Sequence, residues 1–316
     1  MVLGRRPAWA RRVGVGHNGG MNTPTDPALY AGADLRLAAV DMDGTLLDDD
    51  KNFPPDMDEL LDRMDERGVT FAPASGRQVW TLIDMFPSRP GMTFIGENGG
   101  IVMRDGVEIS YSPVDAPTLR AVVRLVREAT SGPDAIDGGL VMCGKRSAYV
   151  ERSDDRFVDG VMPYYHRTKR VEDQMAVIDA IEAGRSDDAI VKLAVYTPGP
   201  VAPLAQATLA NFAHSHQYAI SGANWADLQV RGVDKGRAVR DLQRFLGVTR
   251  EQTAVFGDAG NDLSMMSEGD LSFAMANASP DVAEAARFVA PSNNEAGVAQ
   301  VLRVLLGDDP LVKDRP

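Results

Sequence analysis

The sequence predicts an α/β fold in which a parallel β-sheet is covered by helices and interrupted by an inserted α+β domain. Three observations support this prediction. β-rich runs and helical periods alternate from residue 35, they alternate again near the end of the chain, and between these two blocks the pattern changes to paired β-runs. Regular alternation of strand and helix is typical of a Rossmann-like, doubly wound parallel sheet.

The first block supplies three strands and two helices. The run LRLAAV, from residue 35, has the continuous apolar character of a buried strand. The next segment, PDMDELLDRMDERG, places apolar residues at helical spacing and stops at Gly68, a common helix end. VTFAPAS then predicts a strand, RQVWTLIDMF a helix and MTFIGEN a third strand.

The later blocks complete the domain plan. The middle of the chain has the paired β-runs IVMRDGVEIS and GLVMCGKRSAYVE, the strand IVKLAVYT, and two predicted helices, APTLRAVVRLVREAT and VAPLAQATLANFAH. The last block alternates again, with the predicted helices KGRAVRDLQRFLG, NDLSMMSEG, PDVAEAARFVA and EAGVAQVLRVLL around the strands TAVFGD and LSFAMAN. We therefore expect a core formed by residues 34–105 and 228–308, and an inserted α+β cap at 106–227.

The two ends of the chain are expected to lie outside these domains. Residues 1–33 begin with four arginines and a glycine-rich stretch, without the apolar segment of a secretory signal, and predict a disordered leader. Translation starting at Met21 is an alternative. Residues 309–316 predict a solvated tail.

Composition limits the function classes. The 316 residues include 33 Lys and Arg against 45 Asp and Glu, a formal net charge of −12 that repels phosphate backbones and anionic lipid. Nucleic acid and membranes are therefore not expected as partners. The single cysteine, Cys143, stands in an apolar run and excludes an intramolecular disulfide, so we expect a buried residue in a cytoplasmic protein.

Polar groups follow three of the predicted strands. Asp41 and then Asp43 end the first, Ser75 and Gly76 the second, and Asp258 a late one. Because the carboxyl ends of parallel strands meet at one edge of a sheet, these groups should converge. Carboxylates brought together raise each other's pKa unless a cation lies between them, and oxygen ligands of this kind suit Mg²⁺.

Such a site suits phosphoryl transfer. A metal-screened carboxylate at Asp41 is a usable nucleophile toward phosphorus, and Asp43 is placed to protonate the leaving group and then deprotonate water. Asp258 and Asp262 lie four residues apart at a strand-to-helix turn, so that one can bind the metal and the other a metal-bound water. The predicted phosphate contacts are Gly44, Thr45, Ser75, Gly76, Lys235 and Asn261, and the predicted metal site comprises Asp41, Asp43, Asp258 and Asp262.

These motifs resemble those of a known family. In order, DMDGTLL, ASGR, DKG and GDAGND are similar to the four motifs of the haloacid dehalogenase superfamily of Mg²⁺-dependent phosphotransferases. ENGG at 97–100 and the long segment before DKG resemble the Cof-type sugar phosphatase branch, which has a type IIB α+β cap. The resemblance covers roughly residues 35 to 305. It implies the nucleophile Asp41, the acid/base Asp43, phosphate contacts from Ser75 and Lys235, and magnesium at Asp258 and Asp262.

The expected function is a Mg²⁺-dependent phosphatase of small phosphorylated metabolites, with sugar phosphates the leading class. Two alternatives remain open: a phosphotransferase of the phosphomannomutase type and a non-catalytic sugar-phosphate sensor on the same scaffold. The sequence does not indicate which cap residues contact substrate, and it gives no sign of the oligomeric state.

Overall fold

The computed structural model describes residues 22–87, 89 and 91–307, and the elements below are those of this part of the chain. The strands are β1 (Leu37–Asp41), β2 (Thr70–Ala74), β3 (Thr93–Gly96), β4 (Ile101–Arg104), β5 (Val107–Tyr111), β6 (Gly139–Gly144), β7 (Ala148–Val150), β8 (Thr168–Arg170), β9 (Ile190–Tyr196), β10 (His216–Ile220), β11 (Trp225–Val230), β12 (Thr253–Gly257), β13 (Leu271–Met275) and β14 (Phe288–Ala290).

The α-helices follow the same chain order. They are α1 (Met57–Glu66), α2 (Val79–Met85), α3 (Ala116–Ala129), α4 (Asp155–Val161), α5 (Gln174–Glu182), α6 (Ala202–Ala207), α7 (Lys235–Leu246), α8 (Leu263–Met266), α9 (Pro280–Ala285) and α10 (Gly297–Leu305). Short 3₁₀ turns connect several of them. The chain divides into two compact units: the first comprises residues 22–75, 91–94 and 234–307, and the second residues 76–90 and 95–233.

The first unit contains a parallel sheet in the order β14-β13-β12-β1-β2. Residues 37–40 of the central β1 have no exposed surface, which explains their unbroken apolar sequence. From β1 the sheet extends to β2 on one side and to β12, β13 and β14 on the other. β1 is therefore the point at which the strand order reverses, the usual ligand position in open α/β sheets.

The segment before β1 contacts this sheet. Residues 1–21 of the predicted leader, like 308–316 at the other end, lie outside the described residues. Residues 22–33, also placed in the leader from sequence, are instead held against the first unit: the Thr25 amide donates to the Val289 carbonyl at 2.8 Å, and the buried Tyr30 ring packs edge-on against Phe273 and Phe288.

The second unit has a sheet of its own, in the order β10-β11-β9-β6-β7-β8, with antiparallel pairs except between β7 and β8. Residues along β6 alternate between two cores. Leu140 and Met142 pack with helices α3, α5 and α6, whereas Val141 and Cys143 pack with α4 on the other face. The unit also contains β3's last residues, the antiparallel pair β4 and β5, and α2.

The predicted fold class is confirmed, and two predicted helices differ in detail. The predicted helix at 201–214 stops as α6 and continues as a 3₁₀ turn from Leu209 to Phe212, and β10 begins at His216. The apolar residues Phe288–Ala290, expected to end a helix, form β14 and extend the sheet. Apolar runs this short fit a helix end or a buried strand equally well, and the neighbouring β13 decides between them. Cys143 is buried as expected.

Candidate active site

The candidate site lies where β1 and β12 end in the first unit. β1 pairs in parallel with β12 in a register that aligns Val40 with Phe256, so that Asp41 and Asp258, each near the carboxyl end of its strand, lie at the same edge of the sheet. Asp41 also aligns with Ala74 of β2, directly before Ser75. The convergence predicted from strand order is thus present in the sheet.

The loop after β1 turns sharply around Gly44. The backbone amides of Leu46 and Leu47 both donate to the Met42 carbonyl, at 3.1 and 2.9 Å. Gly44 has a φ of 81°, and a Cβ at this position would lie 2.5 Å from Asp258 Oδ2. Only glycine therefore allows this turn together with the close approach of the Asp258 carboxylate.

The hydroxyl beside Gly44 binds the same carboxylate. Thr45 Oγ1 donates to Asp258 Oδ1 at 3.1 Å, and the Thr45 side chain is buried. In the sequence Thr45 was predicted to contact phosphate. The structure gives it a partner that orients the Asp258 carboxylate, and a phosphate contact remains a prediction.

Lys235 is the positive group of the site. The Asp234 carboxylate caps α7 by accepting from the Arg237 amide at 2.8 Å, which makes Lys235 the first helical residue. Its side chain has no exposed surface, and its ammonium donates to Asp41 Oδ1 and, at 2.6 Å, to Asp262 Oδ1.

Asp262 is held on both of its oxygens. While Oδ1 accepts from Lys235, Oδ2 accepts from the backbone amides of Asp258 and Ala259 at 3.0 and 3.2 Å. Gly257 is required nearby, because a Cβ there would lie 2.4 Å from the Asp262 Cβ. The turn after β12 is therefore closely packed and hydrogen-bonded, and Asp262 holds it as well as contributing charge.

The residues fit a divalent cation. Asp41, Asp258 and Asp262 each offer an oxygen, and these oxygens lie within 4.8 Å of one another. They bring three carboxylates to one ammonium, so the group has an excess of negative charge that a divalent cation would balance. Carboxylate oxygens are the ligands that Mg²⁺ prefers.

The pKa values show the same excess. Burial first, and then the Asp262 carboxylate, raises the pKa of Asp41 to about 8, although Lys235 opposes the shift. Burial and Asp262 likewise raise the pKa of Asp258 to about 6. For Lys235, burial alone would lower the pKa, but the carboxylates of Asp262 and Asp41 outweigh it and raise the pKa. The ammonium therefore stays charged, while the carboxylates lack enough positive charge.

The structure also gives the positions of four other residues predicted for the site. The Asp43 carboxylate, predicted as a metal ligand, is not among the three converging carboxylates: its Oδ1 lies 3.0 Å from Lys51 Nζ, and both side chains are partly exposed. Ser75 is buried directly after β2, at the end of the first unit. Gly76 begins the second unit. Asn261 is exposed on the 3₁₀ turn Gly260–Asp262.

Two asparagines that sequence reasoning left without a role hold the Gly44 loop. Asn277, two residues after β13, donates from Nδ2 to the Gly44 carbonyl at 2.8 Å, and its Oδ1 accepts from the Asn293 amide at 3.1 Å. Asn293, after β14, donates from Nδ2 to the Leu47 carbonyl at 3.1 Å. Asp41 and Asp258 were predicted as site residues because they follow strands of a parallel sheet. The same reasoning applies to Asn277 and Asn293, which also follow apolar strands of this sheet.

Comparison with known proteins agrees with this geometry. The model of the haloacid dehalogenase-like hydrolase family matches residues 38–302. A 5-amino-6-(5-phospho-D-ribitylamino)uracil phosphatase of Escherichia coli is 32% identical over 276 residues, covering 86% of this chain and 96% of that protein. A Bacillus subtilis protein of the same name is 23% identical over 273 residues, covering 85% of this chain and 95% of that protein.

The fold is also that of a solved structure. A haloacid dehalogenase-like hydrolase from Bacteroides thetaiotaomicron superposes with a TM-score of 0.73 at 21% identity, covering 85% of this chain and 98% of that one. The resemblance seen in the four sequence motifs is therefore confirmed. The chain belongs to the haloacid dehalogenase-like hydrolase family, and within that family it is a phosphatase.

Proposed function

We propose that the protein is a Mg²⁺-dependent phosphomonoesterase that works through an aspartyl-phosphate on Asp41. The observation that supports this most directly is the group formed by Asp41, Asp258 and Asp262, with the Lys235 ammonium in contact with Asp41. Asp41, Asp258 and Asp262 would hold the ion. When bound, Mg²⁺ would act as a Lewis acid and screen the repulsion between a carboxylate and a phosphoryl group.

The first half-reaction would proceed on the protein's own groups. A carboxylate oxygen of Asp41 attacks phosphorus, and the bond from phosphorus to the leaving oxygen breaks. Asp43 donates a proton to that oxygen and releases the alcohol. Lys235 would move its hydrogen bonds from Asp41 to the phosphoryl oxygens, since charge transfers from the carboxylate to those oxygens as the new bond forms.

The second half-reaction would return the enzyme to its starting state. Asp43, now a carboxylate, removes a proton from water, and the water oxygen attacks the same phosphorus. The bond between phosphorus and Asp41 breaks, which regenerates the carboxylate and releases inorganic phosphate. For both steps the Asp43 side chain would leave its contact with Lys51 Nζ, 3.0 Å away, which its partial exposure allows.

We propose as substrate the phosphate ester of a sugar or of a sugar-like polyhydroxylated chain. Two lines of reasoning meet on this class: the motifs resemble those of Cof-type sugar phosphatases, and two relatives are named for a substrate with a phosphorylated ribityl chain. Such metabolites occur in the cytoplasm, which we propose as the location. Among the described residues, none of the helices combines the length and the apolar character needed to cross a membrane.

A panel of phosphomonoesters, assayed with Mg²⁺ and with EDTA, tests the proposal. It should contain 5-amino-6-(5-phospho-D-ribitylamino)uracil, hexose and pentose phosphates, and an aryl phosphate. We expect phosphate release that requires Mg²⁺ and is fastest with an ester of a polyhydroxylated chain. Phosphate release only after a sugar acceptor is added would indicate a phosphotransferase, and binding without hydrolysis of any ester would indicate a sensor. Equal activity in EDTA would contradict the metal dependence.

A further inference from the structure

The second unit contains a buried ion pair that the mechanism above does not use. Lys192, in β9, places its Nζ 2.6 Å from Glu97 Oε2, and both side chains are almost entirely buried, at 2% and 1% exposure. The same ammonium donates a hydrogen bond to the carbonyl oxygen of Gly76 at 2.7 Å. The ion pair is therefore hydrogen-bonded to the backbone of the residue that directly follows Ser75.

The backbone around Gly76 is held from several directions. Glu97 adopts a left-handed conformation with a φ of 52°, its amide donates to the Arg77 carbonyl at 3.0 Å, and its own carbonyl accepts from Gln229 Nε2 at 2.7 Å. Gly76 is also tightly packed, since a Cβ there would lie 3.1 Å from Asn98 Oδ1. Two consecutive carbonyls are thus bound by this pair: the Lys192 ammonium binds that of Gly76, and the Glu97 backbone amide binds that of Arg77.

Stability alone does not account for such a pair. Removing two charges from water is unfavourable, and well-packed apolar residues in their place are often neutral or stabilising. Lys192 nevertheless stays charged: burial would lower its pKa, but the carboxylates of Glu97 and Asp227 outweigh that effect and raise it. What apolar side chains could not provide is a charged donor to the Gly76 carbonyl.

We infer that Lys192 and Glu97 are positioning residues that orient the Ser75–Gly76 segment for phosphate binding. The inference rests on the proposed function and on the phosphate contacts that the sequence predicts for the Ser75 hydroxyl and the Gly76 amide. Lys192 holds the Gly76 carbonyl and Glu97 holds Lys192, so the peptide bond between Gly76 and Arg77, which directly follows the Gly76 amide, is limited to one orientation. A displacement of about 1 Å in a substrate-positioning group can lower a rate about 100-fold.

The test removes both charges together. The double variant Lys192→Met/Glu97→Gln removes the charges of both partners together and keeps similar side-chain volumes, although the buried Asp227 carboxylate loses the nearby ammonium. We expect kcat/KM for a phosphomonoester to fall roughly 10- to 100-fold. We also expect amide hydrogen exchange in a peptide covering residues 74–80 to be at least about tenfold faster, because the carbonyl contact that restrains this segment is lost.

A second lysine–glutamate pair of the same unit is the matched control. Lys145 Nζ lies 2.8 Å from Glu108 Oε2, with side chains 10% and 18% exposed, and it makes no hydrogen bond to Gly76 among the described residues. Lys145→Met/Glu108→Gln should leave kcat/KM within about twofold and exchange at 74–80 unchanged.

If the first double variant does not fold, Glu97→Asp undergoes the same two measurements. It keeps both charges, withdraws the carboxylate from Lys192 by one methylene, and is tolerated at a left-handed φ. A folded variant with wild-type kcat/KM and wild-type exchange at 74–80 overturns the inference. An inactive wild-type enzyme would overturn the proposed function instead, and the exchange measurement would still decide whether the pair restrains Gly76.

Discussion

Replacing Asp41 by asparagine should remove activity and at the same time stabilise the metal-free protein. The two side chains have the same shape, and the asparagine carbonyl can still accept the hydrogen bond from Lys235. The change removes one of three carboxylates, two of them buried, whose oxygens lie within 4.8 Å of one another. We expect turnover to fall at least about 10⁴-fold, as the nucleophile is lost.

The expected gain in stability follows from the charges around Asp41. At 4.8 Å, the limit within which these oxygens lie, and an effective dielectric constant of about 20, each neighbouring carboxylate repels Asp41 by about 3.5 kcal/mol. The Lys235 ammonium attracts it by about 6 kcal/mol at a separation of about 3 Å. Repulsion from two carboxylates and attraction to one ammonium therefore nearly cancel, and the unfavourable burial of the Asp41 charge remains. The asparagine variant should be more stable by about 1–3 kcal/mol.

Thermal unfolding in EDTA measures this difference. For a protein of this size we expect the variant's Tm to be higher by about 2–10 °C. Added Mg²⁺ should raise the Tm of the wild type more than that of the variant, because the variant has lost a ligand. Asp34→Asn is the control: Asp34 is an exposed partner of Arg36, so its replacement should shift the Tm by less than about 2 °C.

The opposite result would refute the reasoning. If Asp41→Asn lowered the Tm in EDTA, attraction to Lys235 would outweigh repulsion and burial, and the pKa of Asp41 would not be raised. Hydrolysis of an aryl phosphate by this variant at the wild-type rate would remove Asp41 as the nucleophile.

Three further predictions concern the same unit. Gly44→Ala should lower kcat/KM about 100-fold, because its Cβ would meet Asp258 Oδ2 at 2.5 Å. Gly32→Ala is the control, because Gly32 has a similar φ of 80° but open space around the new Cβ. This variant should lose about 1 kcal/mol of stability and keep full activity. An equal loss of activity in both variants would contradict a role for the contact with Asp258. Asn277→Ala removes the hydrogen bond to the Gly44 carbonyl. At saturating Mg²⁺ we expect kcat/KM of this variant to be about tenfold lower. A wild-type kcat/KM would show that the contact is dispensable. In EDTA the Tm of the wild type should fall as the pH rises from about 4 to 8. Over this interval the folded protein keeps protons on Asp41 (pKa about 8) and Asp258 (pKa about 6) that the unfolded chain has released. A Tm that rises with pH would show that these pKa values are not raised.

Local sequence was sufficient for the fold class because hydrophobic periodicity and helix caps act over a few residues. The buried run before Asp41 predicts β1, and the Asp234 cap begins α7 at Lys235. Where two local patterns compete, the sequence is ambiguous. Phe288–Ala290 is apolar enough for a helix end or a strand, and hydrogen bonding to β13 selects the strand.

The acidic residues of the candidate site were predicted from their positions after strands, because parallel strands place their carboxyl ends together whatever their separation in sequence. These positions do not give distances or partners. Asp43, two residues from Asp41, carries the same chemistry in the sequence, yet its carboxylate faces Lys51 while those of Asp258 and Asp262 lie beside Asp41.

By itself, then, the sequence determined the alternating fold, the family and the acidic motifs, since each depends on residue type and local order. Only the tertiary structure decided that Lys235 lies between Asp41 and Asp262, that Asn277 holds the Gly44 loop, and that Lys192 and Glu97 meet at Gly76. These contacts join residues tens to hundreds of positions apart. Their energies come from burial and from distances of about 3 Å, which no local pattern specifies.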